Sequence, residues 1–546
     1  MEGEQDLAAP VTAIFNLSCL LLVAMHLAAA PVAAAEQTAA AAPAEQRFDV
    51  WEYRVLGNTV LPAEQIESQI YPLLGPGKVL ADVEQARVAL EQTYRKAGYG
   101  TVYVDIPEQD VDSGVVRLQV TEGKLRSVRV QGARYFSGRA IRTALPGARP
   151  DTVPQLPELQ KQISAINTLT PDRTLVPVLA AGPIPGTVDL TLKVDDHLPL
   201  HGALELNDQY TAETSKLRAL TSVSYDNLFN RLDSVALQYQ TAPEATSEVG
   251  VFVASYTARL NDAGARLALY YVDSSSEVAS VSSIGTASVL GAGNVYGTRL
   301  ILPLSNTAAQ SHSVSLGADY KDFLEDIRQD AADPFKTPIA YLNFSAGHSS
   351  AWRSERQQWT LSNTFNFGPR GFQNSEQEFA DKRFRGRPNY FYLRSEAASR
   401  MRLFADFSVL LSVAGQFAVE PLISNEQFSI GGADGVRGFL EAEELGDMGA
   451  KATLQLTSPP WHPFRAARAE QLQLEAFGFY DAGEVALIDP LDGEPARSDL
   501  RSWGLGFNIL AAGHYSGTLS WAYPLVDGSH TQAGDSRLLF SVRSSW

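Results

Sequence analysis

The chain has 546 residues, which is far longer than one typical domain, so we expect two or three folding units. It carries 62 acidic and 44 basic residues, a formal net charge of -18, and no basic run interleaved with aromatic residues. Nucleic acid is therefore excluded as an expected partner, because neutralising phosphates requires clustered cations. The single cysteine, Cys19, excludes an internal disulfide and a cysteine-based zinc site.

Residues 1–35 resemble a secretory signal peptide. No charged residue occurs from Val11 to Ala35, and the segment ends in an Ala-x-Ala pattern that suits signal peptidase. The segment departs from a usual leader because it begins with three acidic residues and no Lys or Arg, which leaves the true translation start open. A membrane-spanning helix is the alternative, since the run is long enough to cross a bilayer. An Ala-rich linker, residues 36–47, follows.

Residues 48–122 and 123–197 share one predicted order of elements: strand, helix, helix, strand, strand. The helix from Val83 to Lys96 has the apolar spacing of a packed amphipathic helix. A repeat of about 75 residues with one order predicts two tandem α+β modules. Each small sheet leaves an edge strand whose unpaired backbone groups an extended polypeptide can join. Two generic modules without a docking role are the alternative.

Residues 201–546 show short runs of alternating polarity, which is the pattern of transmembrane β-strands. About sixteen candidate strands fit this length, each with about 10 residues plus a connection. An even number near sixteen can close, so we predict a 16-stranded antiparallel transmembrane β-barrel preceded by the two α+β modules. A soluble all-β array is the alternative. The last strand keeps Phe540 and Trp546 on one face, and such a terminal aromatic residue is typical of an outer-membrane assembly signal.

Two short motifs lie in the last quarter of the chain. The stretch SIGGADGVRGFLEAEELGDMG, from Ser429 to Gly449, contains Val436, Arg437, Gly438 and Phe439. The second motif, FYDAG, contains Phe479, Asp481 and Gly483. Alternation along this second strand puts the even-numbered apolar residues outside, so the Asp481 side chain is predicted to face the lumen.

These motifs resemble the VRGF loop and the F-x-D-x-G strand of the superfamily that includes outer-membrane insertases and two-partner secretion transporters. The modules resemble POTRA domains. Two modules before the barrel are similar to the two-partner secretion transporters, the TpsB class or hemolysin secretion/activation family, whereas BamA-type insertases usually carry more. An insertase is the alternative. The resemblance implies that the loop bearing Arg437 folds into the barrel and that its guanidinium engages Asp481.

The same resemblance implies a function in protein export from a Gram-negative outer membrane. An extended exoprotein, such as a hemolysin or adhesin, would be recognised by the periplasmic modules and would pass through the lumen. Outer-membrane lipid and the barrel assembly machinery are the other expected partners. Only about a dozen residues separate the predicted cleavage after Ala35 from the first module at Phe48, so a plug helix is not evident. Plugging would then depend on the Arg437 loop, or the pore would be leakier. We find no catalytic motif and expect no enzyme activity, cofactor or metal. The acidic stretch Asp322 to Asp333 could bind calcium, but a solvated loop is favoured.

Overall fold

The computed structural model describes residues 46–546 except residues 112, 213, 276–277, 282–286, 291, 305, 308, 325, 328–334, 373 and 464–471. The predicted signal peptide and nearly all of the linker lie outside the described residues and stay predictions. Most of the first module forms one compact unit, and the second module belongs with the barrel to the other. None of the helices in the described part of the chain is both long and apolar enough to cross a membrane.

The first module has a three-stranded sheet and two helices. Its elements are β1 (Phe48–Val50), β2 (Glu52–Leu56), α1 (Ala63–Ile70), a 3-10 turn (Tyr71–Leu73), β3 (Gly75–Lys78), α2 (Leu80–Lys96), β4 (Val102–Asp105) and β5 (Val115–Glu122). The sheet order is β2-β5-β4, with β2 and β5 parallel. Helix α2 buries Val83, Ala86 and Leu90, which lie on one face because they are three and four residues apart. The small β1–β3 pair was not predicted.

The second module repeats the plan in the order β6-β8-β7. Its elements are β6 (Lys124–Gln131), α3 (Gly138–Thr143), α4 (Leu156–Asn167), β7 (Arg173–Ala181) and β8 (Thr187–Asp196). Helix α4 turns Leu159, Ile163 and Ile166 into the module core. The central strand β8 pairs in parallel with β6 and antiparallel with β7. Strand β7 therefore lies at an edge of the sheet.

Sixteen antiparallel strands close into a barrel, as the alternation predicted. They are β9 (Leu200–Asn207), β10 (Arg218–Leu228), β11 (Asp233–Thr241), β12 (Gly250–Arg259), β13 (Arg266–Ser274), β16 (Gly293–Pro303), β17 (Gln310–Phe323), β20 (Ile339–Arg353), β21 (Gln357–Phe367), β22 (Phe391–Arg402), β23 (Ser408–Ala418), β26 (Met448–Thr457), β27 (Leu472–Ala486), β28 (Arg497–Ala511), β29 (Tyr515–Pro524) and β30 (Arg537–Ser545). Strand β9 pairs with both β10 and β30, which closes the wall.

The connections carry several short elements. These are the hairpins β14 (Val278–Val281) with β15 (Ala287–Leu290), β18 (Asp326–Ile327) with β19 (Phe335–Lys336), and β24 (Phe428–Ile430) with β25 (Glu444–Gly446), the helix α5 (Glu376–Lys382), and 3-10 turns at Phe404–Asp406 and Ser424–Glu426. Side chains along each strand alternate between the two faces of the wall. The lipid-facing side therefore exposes large apolar residues such as Leu237, Trp359 and Leu505.

Part of the lumen is filled by an apolar core at the end of the barrel opposite Leu200 and Trp546. Phe379 of α5 packs there against Tyr341 of β20, and Leu422 and Ile423 of the loop after β23 join the same cluster. Each of these side chains is at most 1% exposed. Two connections thus enter the barrel and pack against its inner wall, as a core packs in a soluble protein.

The second module is seated on the first turn of the barrel, residues 229–232. Leu232 packs against the core of the module. Asn230 Oδ1 accepts a hydrogen bond from Ser137 N at 3.0 Å, and Asn227 Nδ2 donates to the carbonyl of Tyr135 at 3.1 Å. Phe229, Asn230 and Leu232 all have positive φ angles, of 56°, 56° and 61°. Such backbone strain persists only where surrounding contacts hold it, which the seating on the module provides.

Candidate functional site: the inward loop and its arginine

Residues 419–447, between β23 and β26, form a loop that enters the lumen, and we call it the inward loop. Its strands β24 and β25 pair as a hairpin, from Phe428 opposite Gly446 to Ile430 opposite Glu444. The VRGF motif lies between them. Val436 is fully buried and Phe439 is 1% exposed, in a cluster with Phe428, Ile430, Val485 and Leu500. Burial of these apolar side chains anchors the hairpin to the inner wall.

Arg437 and Asp481, which the sequence motifs single out, are brought together by the structure. The Nε and Nη2 atoms of Arg437 donate to the two carboxylate oxygens of Asp481 at 2.7 and 2.9 Å. The backbone N–H of Arg437 donates to the same carboxylate at 3.1 Å, and Nη1 donates to Gln455 Oε1 at 2.9 Å. Asp481 is fully buried. Bidentate pairing of this kind fixes both the position and the orientation of the loop.

The guanidinium of Arg437 also lies over an aromatic floor. Its Cζ atom is 3.5 Å from the ring centroid of Phe479 and 6.0 Å from that of Phe477. Both rings cover glycines of β28: a Cβ atom on Gly504 would approach Phe479 to 2.4 Å, and one on Gly506 would approach Phe477 to 2.4 Å. The two phenylalanine rings can lie flat against β28 because Gly504 and Gly506 have no side chains.

Two glycines of the motifs have separate roles. Gly438 adopts φ of +96°, in the left-handed region that favours glycine, and this turns the chain after Arg437. Gly483 has ordinary backbone angles, but a Cβ atom there would lie 3.2 Å from methyl groups of both Ile430 and Val436. The glycine of F-x-D-x-G thus leaves room for the apolar side of the inward loop.

Buried carboxylates fix the base of the inward loop. Glu426 accepts hydrogen bonds from Lys321 Nζ and the hydroxyl of Tyr341, both at 2.5 Å, and from that of Tyr392 at 2.6 Å. Asp447 accepts from the backbone of Leu422 at 2.9 Å and of Ile488 at 2.7 Å. The base of the loop is therefore held both to strands β17, β20 and β22 and to the connection that follows β27.

The inward loop also contacts the first and last loops at the same end of the barrel. Glu443 accepts hydrogen bonds from the backbone of His530 and Thr531 at 2.6 and 2.7 Å. Glu441 N donates to the carbonyl of Tyr210 at 3.1 Å. Burial raises the pKa of the Glu441 carboxyl to about 7, and a hydrogen bond from Ala433 N opposes that rise.

The predicted C-terminal signal residues lie at the closing strand. Trp546 N donates to Gly202 O and Gly202 N donates to Trp546 O, both at 3.0 Å. A Cβ atom on Gly202 would meet the indole at 2.3 Å, so the ring covers that glycine. Phe540 N donates to Asp208 Oδ1 at 2.8 Å. Their role as an assembly signal stays a prediction.

Several contributors were not predicted from the sequence: Gln455, Glu426, Glu443, Gly504 and Gly506. Gly504 and Gly506 share one face of β28, and glycine within a strand is a signal that a neighbouring group approaches closely. The others depend on strand register, which the sequence leaves open.

The acidic stretch from Asp322 to Asp333 lies partly outside the described residues. Among the residues that are described, no group of three or more His, Asp or Glu is arranged to hold a metal ion.

Comparison with known proteins identifies the family. Residues 186–509 match the profile of the haemolysin secretion/activation protein ShlB/FhaC/HecB, and residues 48–123 match that of the ShlB-type POTRA domain. The outer membrane transporter CdiB of Dickeya dadantii strain 3937 is 22% identical over 70% of this chain and 67% of its own. The heme/hemopexin transporter protein HuxB of Haemophilus influenzae is 21% identical over 88% of this chain and 84% of its own.

Solved structures agree on the fold. CdiB from Escherichia coli superposes with a TM-score of 0.58 at 19% identity, over 94% of this chain and 93% of that one. BamA from Haemophilus ducreyi lacking POTRA domains 1-3 gives 0.56 at 13% identity, over 91% of this chain and all of that one. The family profile covers more than half of the residues, from the last strand of the second module, β8, into β28. The chain therefore belongs to the haemolysin secretion/activation family of ShlB, FhaC and HecB.

Proposed function

We propose that this protein exports an extended partner polypeptide from the periplasm through its lumen to the cell surface, and that it catalyses no reaction. The observation that carries the proposal is the inward loop, fixed in the lumen by the buried pair of Arg437 and Asp481. A closed wall supplies a path across the membrane, and an internal element held by polar contacts supplies a part that can move aside.

The protein is an outer-membrane transporter of the two-partner secretion type, with its POTRA domains in the periplasm. Both barrel ends, Leu200 and Trp546, lie at the side of the second module, so the apolar core of the lumen lies toward the cell surface. Closure is then at the extracellular end, and cargo enters from the open periplasmic end.

Strand β7 of the second module is the docking edge that we favour. Its residues Val176, Val178 and Leu179 are exposed by 51, 38 and 36%. An extended segment can add to such an edge through main-chain hydrogen bonds, while its side chains contact the exposed apolar ones. This requires the cargo to arrive unfolded.

The export needs no nucleotide at the outer membrane. Folding of the emerged chain, worth about 5 to 15 kcal/mol per domain, would make passage one-way. Lipid contacts the outer wall, and the barrel assembly machinery would read the last strand with Phe540 and Trp546. No cofactor enters this scheme.

An outer-membrane insertase is the second candidate, because the fold resembles BamA. The family profile and the two modules favour export. The test compares culture supernatants by mass spectrometry among the parent strain, a deletion strain and a deletion strain complemented with the gene. Loss and recovery of one large secreted protein, with unchanged levels of other outer-membrane barrels, would support export. General depletion of outer-membrane barrels would favour the insertase.

A further inference from the structure

The lipid-facing side of strand β21 is interrupted at its centre by an asparagine. Trp359, Phe365 and Phe367 are exposed by 44, 43 and 41% on the odd-numbered face of this strand. Asn363 lies on that same face, four residues from both Trp359 and Phe367. Four residues span about 13 Å of strand, so the amide lies at the depth of the hydrocarbon rather than at either interface.

Asn363 belongs to a polar row that crosses four neighbouring strands on the lipid side. It stands opposite His348 of β20 and Ser395 of β22. Ser395 Oγ donates to Asn363 Oδ1 at 2.8 Å. Ser350 Oγ lies 3.1 Å from His348 Nε2 and 2.8 Å from Nδ1 of His312 on β17. We call these residues the polar row: His312, Ser350, His348, Asn363 and Ser395.

The row leaves hydrogen-bonding capacity unused in a place without water. Within the described part of the chain, Asn363 Nδ2 has no acceptor, whereas its Oδ1 is bonded to Ser395. An amide left unpaired in hydrocarbon costs several kcal/mol, and acyl chains offer no acceptor. A partner with a hydrogen-bond acceptor at this depth would remove that cost.

We propose that a second copy of this chain docks on strands β20–β22, with the two-fold axis close to Asn363. A carboxamide is self-complementary because it both donates and accepts, and a two-fold axis places the same residue opposite itself. Ala397 and Gly415 lie beside the row on the same lipid-facing side and permit close approach of the two walls. A lipid headgroup fits less well, since the row lies at hydrocarbon depth and contains no Lys or Arg.

The first test is a disulfide between copies in native outer membranes, made with full-length protein. Cys19 is the single cysteine of the sequence, so a Cys19→Ser background carries one introduced thiol. Ala397→Cys, which leaves Asn363 in place and lies beside the row on the lipid-facing side, is expected to give an oxidant-dependent covalent dimer. The matched control is Leu237→Cys, which is 48% exposed in the middle of β11. Absence of a covalent dimer with Ala397→Cys, an adduct with a different protein, or an equal yield of dimer with Leu237→Cys would overturn the proposal.

The second test measures the mass of the full-length protein in lipid nanodiscs. Asn363→Leu removes the amide at a lipid-facing position and is expected to lower the dimer fraction at least tenfold. Thr298→Val, on the lipid-facing side of β16, is the control and is expected to leave that fraction unchanged. A dimer fraction that is the same in Asn363→Leu and parent would contradict the two-fold interface, whereas export by the monomer would leave the proposed transport function intact.

Discussion

The two halves of the lumen differ in the chemistry of their walls. The extracellular half is a dry core, in which Phe379, Tyr341 and Leu422 are at most 1% exposed. The periplasmic half contains a cavity of about 390 Å³ lined by Ser313, Ser349, Ser362 and neighbouring polar residues. The barrel is therefore closed by packing at one end and remains polar at the other, so opening requires the unpacking of loops rather than widening of the wall.

The largest expected effect comes from the contact that positions the inward loop between these halves. Arg437→Ala leaves the buried Asp481 carboxylate unpaired, at a cost of about 3 to 5 kcal/mol if the site is dry. We expect secreted cargo to fall at least tenfold while the barrel still reaches the membrane, measured in supernatants and outer-membrane fractions. The control is Arg400→Ala, an exposed arginine in the periplasmic half. Parental secretion by both Arg437→Ala and Asp481→Ala would refute the role of the pair.

The next largest effect is expected from a substitution that tests whether the apolar core closes the extracellular end of the lumen. Phe379→Asp places a charge in the apolar core, where an unpaired carboxylate is strongly disfavoured, and should release the loop that carries α5. Conductance in planar bilayers is expected to rise severalfold. Ser362→Asp, in the polar periplasmic half, serves as the control and should change conductance little. Equal conductance of Phe379→Asp and the parent would show that the dry core is not the barrier.

A smaller effect is expected at the glycine that accommodates the inward loop. Gly483→Ala puts a methyl group 3.2 Å from both Ile430 and Val436, which should cost about 1 to 3 kcal/mol. Hydrogen exchange at the Arg437 amide should accelerate accordingly. Gly478→Ala, on the lipid side of the same strand, should leave that exchange rate unchanged. Protection as strong as in the parent would mean that the loop relaxes without cost.

The smallest effect is a pH dependence of the α5 loop. Burial lowers the pKa of Lys382 to about 8, against about 10.4 in an unfolded chain. Between these values the unpacked loop binds more protons, so packing strengthens as pH rises from about 8 to 10.4. Conductance should therefore be lower at pH 10 than at pH 7.5. In Lys382→Met this difference should shrink, and an unchanged difference would assign it to another group.

The sequence predicted the strands of the barrel better than the loops and side-chain contacts inside the lumen. Strict alternation along β27 correctly placed Asp481 in the lumen, because side chains of a strand alternate without exception where no bulge occurs. Gln455 and Glu426 were not predicted as partners, since their positions depend on the register of other strands. Helix α5 is only seven residues long; its signal was the capping sequence Ser375-x-x-Glu378, where Ser375 Oγ accepts from Glu378 N at 3.3 Å.

The seating of the second module on residues 229–232 has a mechanical consequence. Leu232 packs against the module core, and this contact holds the strained backbone on either side of it. In the export that we propose, a pull on the second module by cargo would therefore act directly on the hairpin of β10 and β11, beside the strand that closes the wall. Leu232 and the hydrogen bonds of Asn227 and Asn230 would together carry that force from the module to the wall of the pore.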